Sequence, residues 1–427
     1  WVTAVDKPAS VDVAIVGSGV IGISTAFCLQ DAGWTVMLVD RDEPGAGCSS
    51  GNAGVIATSF VLPLSSFGHI FGAPRMLMDR MAPLSLPWRH IANYTPWLWR
   101  FALNALPRPR RHTINVLKQL NGESLSAWKR LLPPEIYSKF IAERGMLDVV
   151  ATARSLQSLH ANAATLCAEG IPVEVLDADQ VGELEPALRS KVAGGALHTA
   201  AAQVSDPKRL SDAMMEIFLA RGGIFVRTEV DEIISHPDGI NLLGGGVVRA
   251  AKYGIICAGW WSAKLVKRFG LSAPIRAERG YHVMLPAAAT GFARPVSFHE
   301  ESFLATPMTG GLRLAGTVEL APPDARPDWG RADNLLKLAR HYFPDLETDG
   351  LTRWVGSRPS FADSLPAIGR VPDAPNVFYS FGHQHLGLTQ AAISAEHVRD
   401  IIRGTMPEKI QHCSLARFGR SIRNITS

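Results

Sequence analysis

What the chain lacks narrows its class before any motif is read. Its 427 residues include only five cysteines, Cys28, Cys48, Cys167, Cys257 and Cys413, scattered and never spaced as C-x-x-C. An odd, dispersed set excludes a disulfide framework and a cysteine-ligated zinc or iron–sulfur centre, so no metal is expected. It points to a reducing compartment, the cytoplasm. Charge is also scarce, at 19% of residues with a net +4. Without a basic stripe, so small an excess excludes nucleic acid as a partner. Long hydrophobic runs are missing. The longest stretch without Asp, Glu, Lys or Arg runs from Pro44 to Pro74, and Gly, Ser and Pro interrupt it throughout. No single helix drawn from it could span a bilayer. The first residues carry no charged segment followed by an apolar one, so no secretory leader is expected. There is no tandem repeat and no low-complexity tract.

What is present is an ordered globular chain, 47% hydrophobic and long enough for two domains. It is organised around its opening. Val11 to Val16 is a short β-branched apolar run, the pattern of a buried strand. It enters Gly17-Ser18-Gly19-Val20-Ile21-Gly22, a G-x-G-x-x-G turn. Ile23 to Ala32 reads as a helix stopped by Gly33, and Trp34 to Asp40 as a second buried strand ending in an acid. Gly17 permits the tight turn, Gly19 lets backbone approach a pyrophosphate, and Gly22 lets the helix pack on the strand. The helix N-terminus attracts phosphates. Asp40 lies eighteen positions past Gly22, where a carboxylate can accept from ribose hydroxyls. A lone glycine motif is weak, but between two strands with the acid in place it indicates a dinucleotide.

Further along, Gly45 to Gly54 is a run of small residues placed to wrap the cofactor's middle. From Arg75 to His112 there are seven arginines (Arg75, Arg80, Arg89, Arg100, Arg108, Arg110, Arg111) against one acid, Asp79, interleaved with Trp88, Tyr94, Trp97, Trp99 and Phe101. This segment reads equally as a docking face on an anionic membrane surface and as a connector whose tryptophans pack inward. Thr95 suits an N-cap with Pro96 at the first helical position, and Pro107 suits the end of that helix. Helices are expected over 114–132, 155–169, 208–220, with Asp206 at the N-cap, and 333–342. Tyr253 to Gly259 repeats the opening: a buried strand entering a glycine turn. Alternation over 274–316 fits an antiparallel second sheet. Near the end, the strand Val377 to Tyr379 enters Gly382-His383-Gln384-His385-Leu386-Gly387-Leu388-Thr389. A helix from Gln390 to Arg403 follows.

The opening fold signal, Cys48-Ser49-Ser50-Gly51-Asn52-Ala53-Gly54, Glu185-Pro186, Arg279-Gly280-Tyr281, Gly356-Ser357-Arg358-Pro359 and the turn at 382–389 occur in one order. That order resembles the FAD-dependent D-amino-acid oxidase superfamily, most nearly its bacterial D-amino-acid dehydrogenase (small-subunit) branch, over residues 11–404. The resemblance implies an α/β fold: a discontinuous Rossmann-like FAD domain (10–60, 190–272 and 350–420) and an α+β substrate domain on a curved antiparallel sheet (61–189 and 273–349).

It also implies non-covalent FAD. Gly17, Ser18, Gly19, Val20, Ile21 and Gly22 would meet the pyrophosphate, Asp40 and Arg41 the ribose, and Val230 the adenine. Cys48, Ser49, Ser50, Asn52, Ala53 and Gly54 would lie along the flavin, with Ala258, Gly259 and Trp261 on the neighbouring turn. Gly356, Arg358, Gly382, His383, His385, Leu386, Gly387, Leu388 and Thr389 would surround the flavin's far end, where a helix N-terminus stabilises the charge of reduction. Arg358 and Tyr281 would grip a substrate carboxylate, and His385 would handle a proton. The implied activity is oxidation of the Cα–N bond of an amino or imino acid, with electrons passing to a quinone or carrier, in the cytoplasm or on the inner face of the cell membrane. A sarcosine or glycine oxidase, a hydroxyproline dehydrogenase and a non-catalytic flavin subunit remain alternatives.

Overall fold

The computed structural model describes residues 11–63, 65, 81–288 and 291–419. Arg75, Asp79 and Arg80 of the basic segment lie outside them. The chain lays down β1 (Val11–Val16), α1 (Val20–Asp31), β2 (Val36–Asp40) and the short β3 (Val55–Ile56). After β4 (Leu84–Ser85) come α2 (Ile91–Asn104), α3 (Pro107–Gly122), α4 (Ser124–Leu131) and α5 (Pro134–Phe140). The middle alternates: β5 (Ile141–Ala142), β6 (Met146–Val150), α6 (Ala153–Ala168), β7 (Glu174–Asp177), α7 (Ala178–Leu184), β8 (Gly194–His198), β9 (Ala202–Val204) and α8 (Pro207–Ala220). Next are β10 (Ile224–Arg227), β11 (Glu232–His236), β12 (Gly239–Gly244), β13 (Val247–Ile256) and α9 (Ser262–Lys267). The rest comprises β14 (Arg276–Leu285), β15 (Val296–Phe298), β16 (Phe303–Met308), β17 (Gly311–Leu320), α10 (Trp329–Tyr342), β18 (Thr352–Ser360), β19 (Ala367–Val371), β20 (Ala374–Phe381) and α11 (Gly387–Ile402).

Buried β-branched runs make the central strands of the first sheet, ordered β10-β2-β1-β13, with β20 parallel to β13 and the β11–β12 hairpin on β13's outer half. Fully buried strands of this kind need a layer on each face. One is α1 against α11, with α4 and α8, around Phe27, Phe218, Trp128 and Ile393. The other includes Leu265, Val266, Phe361 and Phe381. Within the first layer, the Trp128 indole Nε1 donates to the Leu388 carbonyl at 3.0 Å, fixing the first turn of α11.

The second sheet runs β18-β14-β17-β16-β15-β6-β8-β7, antiparallel except where β15 meets β6 and β4 meets β17. α10 covers it through Leu335 and Ala339. β8 and β18 lie in this sheet, although the expected division put 190–272 and 350–420 with the nucleotide sheet. A strand's hydrogen-bonded neighbours, not its distance along the chain, decide its layer.

The region around Pro96 differs from expectation. Thr95 is no N-cap and Pro96 is no first residue: α2 begins at Ile91 and contains Pro96 in its interior, while the Thr95 hydroxyl donates to the Ile91 carbonyl at 2.8 Å. A short turn at Trp88–His90 starts the helix early, so Pro96 interrupts only one bond near its beginning. Pro107 opens a helix instead of closing one, standing at its N-terminus after Leu106. The helix expected over 114–132 is two, broken at Glu123.

Candidate active site

Three parallel strands end level. Val16 of β1 pairs with Ile256 of β13, and Ile256 pairs with Tyr379 of β20. The chain leaving each strand therefore turns at the same edge: Gly17 to Gly22, Ala258-Gly259, and Gly382 to Leu388. The carboxyl ends of parallel strands are where such sheets bind nucleotides. Gly17 has φ +108°, and a Cβ there would collide with the Cys257 carbonyl. A Cβ on Gly22 would collide with the Gly17 carbonyl. Helix α1 thus sits hard against the turn, with Gly19 as N-cap and no acid in its first turn. Its early N–H groups lack helical acceptors, as at any helix start. One of them, Val20 N, donates to Ser49 Oγ at 2.8 Å.

Asp40 shapes the adjoining end. Its carboxylate accepts from Ser18 N at 2.6 Å, Ser18 Oγ at 2.9 Å and Asp42 N at 3.1 Å. Arg41 stacks on the Trp261 ring at 4.0 Å. These groups line a cavity of about 770 Å³ whose walls extend from Asp40 and Val230, past the three glycine turns, to Glu278 and Arg358. That volume accommodates a dinucleotide. A glycine cradle, a bare helix N-terminus and a ribose-side acid in one cavity fit FAD. Among the described residues no cluster fit to hold a metal occurs.

At the far end, β14 and β18 pair so that Glu278 opposes Arg358, Gly280 opposes Gly356 and His282 opposes Trp354. Alternation puts these six on one face of the ladder. The half-buried Arg358 lays its guanidinium across Gly280, where a Cβ would strike it. It makes no hydrogen bond or ion pair to any described residue. Burial lowers its pKa, offset in part by Glu278 and the Cys48 sulfur. Glu278 is buried, at 4% exposure, and burial raises its carboxyl pKa against the pull of Arg358 and Ser360. Cys48 donates its thiol to the Ser357 carbonyl at 2.8 Å, and burial pushes its pKa up to about 11.

Tyr281 stands differently from expectation. Its ring reaches the cavity wall, but its hydroxyl donates to Glu319 at 2.6 Å and accepts from Asp328 N at 3.1 Å. Glu319 also pairs with Arg279 at 3.1 Å, so the Arg279-Gly280-Tyr281 polar groups close on one another. The expected grip of Tyr281 on a substrate carboxylate has no free hydroxyl behind it. His385 packs on Phe60, and burial with the nearby Arg358 pushes its pKa down to about 4. His383 bonds Ser394 Oγ at 3.0 Å, and burial drops its pKa to about 3. Both rings are neutral at pH 7, and His385 is a weak base.

Of the residues singled out by sequence, Gly17 to Ile21, Asp40, Arg41, Cys48, Ser49, Asn52, Ala53, Val230, Ala258, Gly259, Trp261, Tyr281, Arg358, Gly382, His383, His385, Leu386, Gly387 and Leu388 line the cavity. Gly22, Ser50, Gly54, Gly356 and Thr389 stand behind it. Ser50 Oγ bonds the Gly47 carbonyl at 3.0 Å, Gly356 lies under the Trp354 ring, Gly54 backs on Val204, and Thr389 Oγ1 accepts from Ala57 N at 2.9 Å. Sequence reasoning missed Glu278 and Thr317. Thr317 lines the cavity with φ +61° and a buried hydroxyl that has no partner among the described residues. For a β-branched residue that backbone is strained. Glu278 carried a faint signal, an acid on the same strand face as Gly280.

Comparisons with known proteins agree with this geometry. The family described as DAO, FAD dependent oxidoreductase, matches residues 12–401. A D-amino-acid oxidase of Bradyrhizobium diazoefficiens is 29% identical over 411 residues, covering 93% of this chain and 96% of that one. Glycine oxidase from Geobacillus kaustophilus superposes with a TM-score of 0.76 at 25% identity, covering 96% and 99% of the two chains. L-proline dehydrogenase from P. horikoshii gives 0.70 at 16% identity, covering 96% and 98%, and shares the fold.

Proposed function

The chain belongs to the DAO family of FAD-dependent oxidoreductases, and on that footing we propose that it oxidises the Cα–N bond of an amino or imino acid, D-amino acids foremost. FAD, when bound, supplies the two-electron acceptor for the hydride from Cα. The chain's own residues bind and orient. Gly17, Gly19 and the α1 N-terminus hold the pyrophosphate, Asp40 the ribose, and the turn at 382–388 the flavin end. Arg358 takes the substrate carboxylate, since a guanidinium fork matches it bidentately. Orientation is the main catalytic contribution. Tyr281 is left out of the clamp, and His385 serves as a neutral wall. The observation that carries this reading is the free guanidinium of Arg358, opening into the cavity that the glycine turns line. The test is anaerobic addition of a D-amino-acid and imino-acid panel to the holoprotein while the visible flavin absorption is followed.

A second reading concerns the electron acceptor. α2 and its flanks expose Trp88 (86%), Trp99 (68%), Ile91, Leu103 and Leu106. Residues 81–122 contain no Asp or Glu beside Arg89, Arg100, Arg108, Arg110 and Arg111. Tyr94 and Trp97 pack inward, as a connector would have them, while Trp88 and Trp99 face outward, as a docking face would need. The outward part suits an anionic lipid surface, with a quinone or carrier as acceptor. No helix among the described residues is long and apolar enough to cross a membrane.

A further inference from the structure

Glu278 is a buried acid with no place in the function derived so far. It opposes Arg358 directly across the β14–β18 ladder, and both line the cavity. Opposed residues on one face of such a pair have Cβ atoms about 4.5–5.5 Å apart. Yet no ion pair within 4.0 Å joins the two side chains; each influences the other's charge from further off. A buried carboxylate and a half-buried guanidinium that do not close on each other are costly unless something completes them. An α-amino acid has the complementary shape: an anionic and a cationic group on neighbouring atoms.

Resting on the amino-acid reading above, we infer that Glu278 is a catalytic residue that receives the substrate's ammonium group and takes its proton. With the carboxylate on Arg358, the nitrogen one carbon away falls beside Glu278. An N–H bond breaks, an O–H bond forms on the Glu278 carboxylate, and the nitrogen recovers its lone pair. That lone pair forms the C=N bond as Cα gives up hydrogen with its electron pair, the oxidation the FAD enzyme performs. The proton leaves Glu278 for solvent when product departs.

The surroundings allow the transfer. Arg358 faces Glu278 from β18, Tyr94 from α2, and the Ser360 hydroxyl from the end of β18. Burial raises the Tyr94 pKa and its hydroxyl donates to the Ala277 carbonyl at 2.8 Å, so it stays neutral. Beyond the guanidinium, Cys48 and His385 are neutral at pH 7 as well, with values of about 11 and about 4. Arg279 and Glu319 neutralise each other around Tyr281, off this face. Burial raises the Glu278 carboxyl pKa and so makes its carboxylate a better base than one in water, while Arg358 pulls in the other direction, toward the ionised form that accepts the proton.

The test is Glu278→Gln in the holoprotein, with flavin content as the folding control. At neutral pH, kcat/KM should fall by about 10²–10⁴, the usual range for a lost acid–base group. It should then climb about tenfold per pH unit toward the pKa of the free amine, where solvent removes the proton instead. Glu278→Asp should restore part of the neutral-pH rate. Acetate, a carboxylate without an amine, should inhibit Glu278→Gln more strongly than wild type, because no negative charge faces it. A variant with wild-type kcat/KM, or one equally slow at every pH, overturns the inference while leaving the function standing. Wild-type flavin that no amino or imino acid reduces overturns both.

Discussion

Arg358 rests its guanidinium on Gly280, one strand away, in space that any side chain on Gly280 would fill. The collision is with the flexible end of an arginine, not with backbone. Gly280→Ala should therefore displace the guanidinium at little cost in stability. KM for amino acids should rise about tenfold or more, since a displaced fork loses a charge-assisted bond of about 1.5–3 kcal/mol. Steady-state kinetics beside a thermal melt separate the two effects. An unchanged KM would mean that the guanidinium does not meet substrate.

The phosphate turn makes a different demand. At Gly17 the obstacle is the Cys257 carbonyl, part of the neighbouring strand's exit, and φ is +108°. Gly17→Ala should yield protein stripped of FAD, with the flavin-to-protein ratio of the purified variant falling severalfold. Full yellow occupancy would remove this turn from the cofactor site.

Two buried rings make folding sensitive to acid. Burial holds His282 and His383 at pKa values of about 3, while the unfolded chain's histidines titrate near 6.5. Below about pH 6.5 the unfolded state binds protons that the folded state refuses, so the contribution is complete above that pH and lost as pH falls toward 3. The slope is about 1.4 kcal/mol per pH unit for each ring. Urea midpoints taken at about pH 7 and about pH 5.5 should differ accordingly, and His383→Gln should flatten the dependence. Identical midpoints would mean that these rings accept protons in the fold.

The outward tryptophans can be read directly. Wild-type protein should float with vesicles containing anionic phosphatidylserine at low salt and be released as salt rises. Trp88→Ala with Trp99→Ala should weaken flotation several-fold without touching flavin content. Absence of binding at low salt would assign the face to another partner.

Much of this was legible in the chain, and the gaps have physical reasons. The glycine turns announce themselves because only glycine tolerates Gly17's backbone or Gly22's packing. Strand adjacency was not legible: β20 lies beside β13 more than a hundred residues on, and only the ladder brings Tyr379 level with Ile256. Tyr281 looked like a substrate ligand because its position did; its Glu319 partner lies on another strand. Glu278 left only a faint signal, its shared strand face with Gly280, because a polar residue in an alternating strand reads as solvent-facing. Pro96 misled because a proline near a helix start resembles one at the start.

The most direct measurement is anaerobic reduction of the bound flavin by a D-amino-acid and imino-acid panel, in wild type and in Arg358→Ala side by side. Wild-type flavin should bleach with at least one substrate, while the variant stays yellow and bleaches only at concentrations about a hundredfold higher. Equal bleaching of both, or a wild-type flavin indifferent to every amino and imino acid, would show that the guanidinium on Gly280 is not where substrate is held.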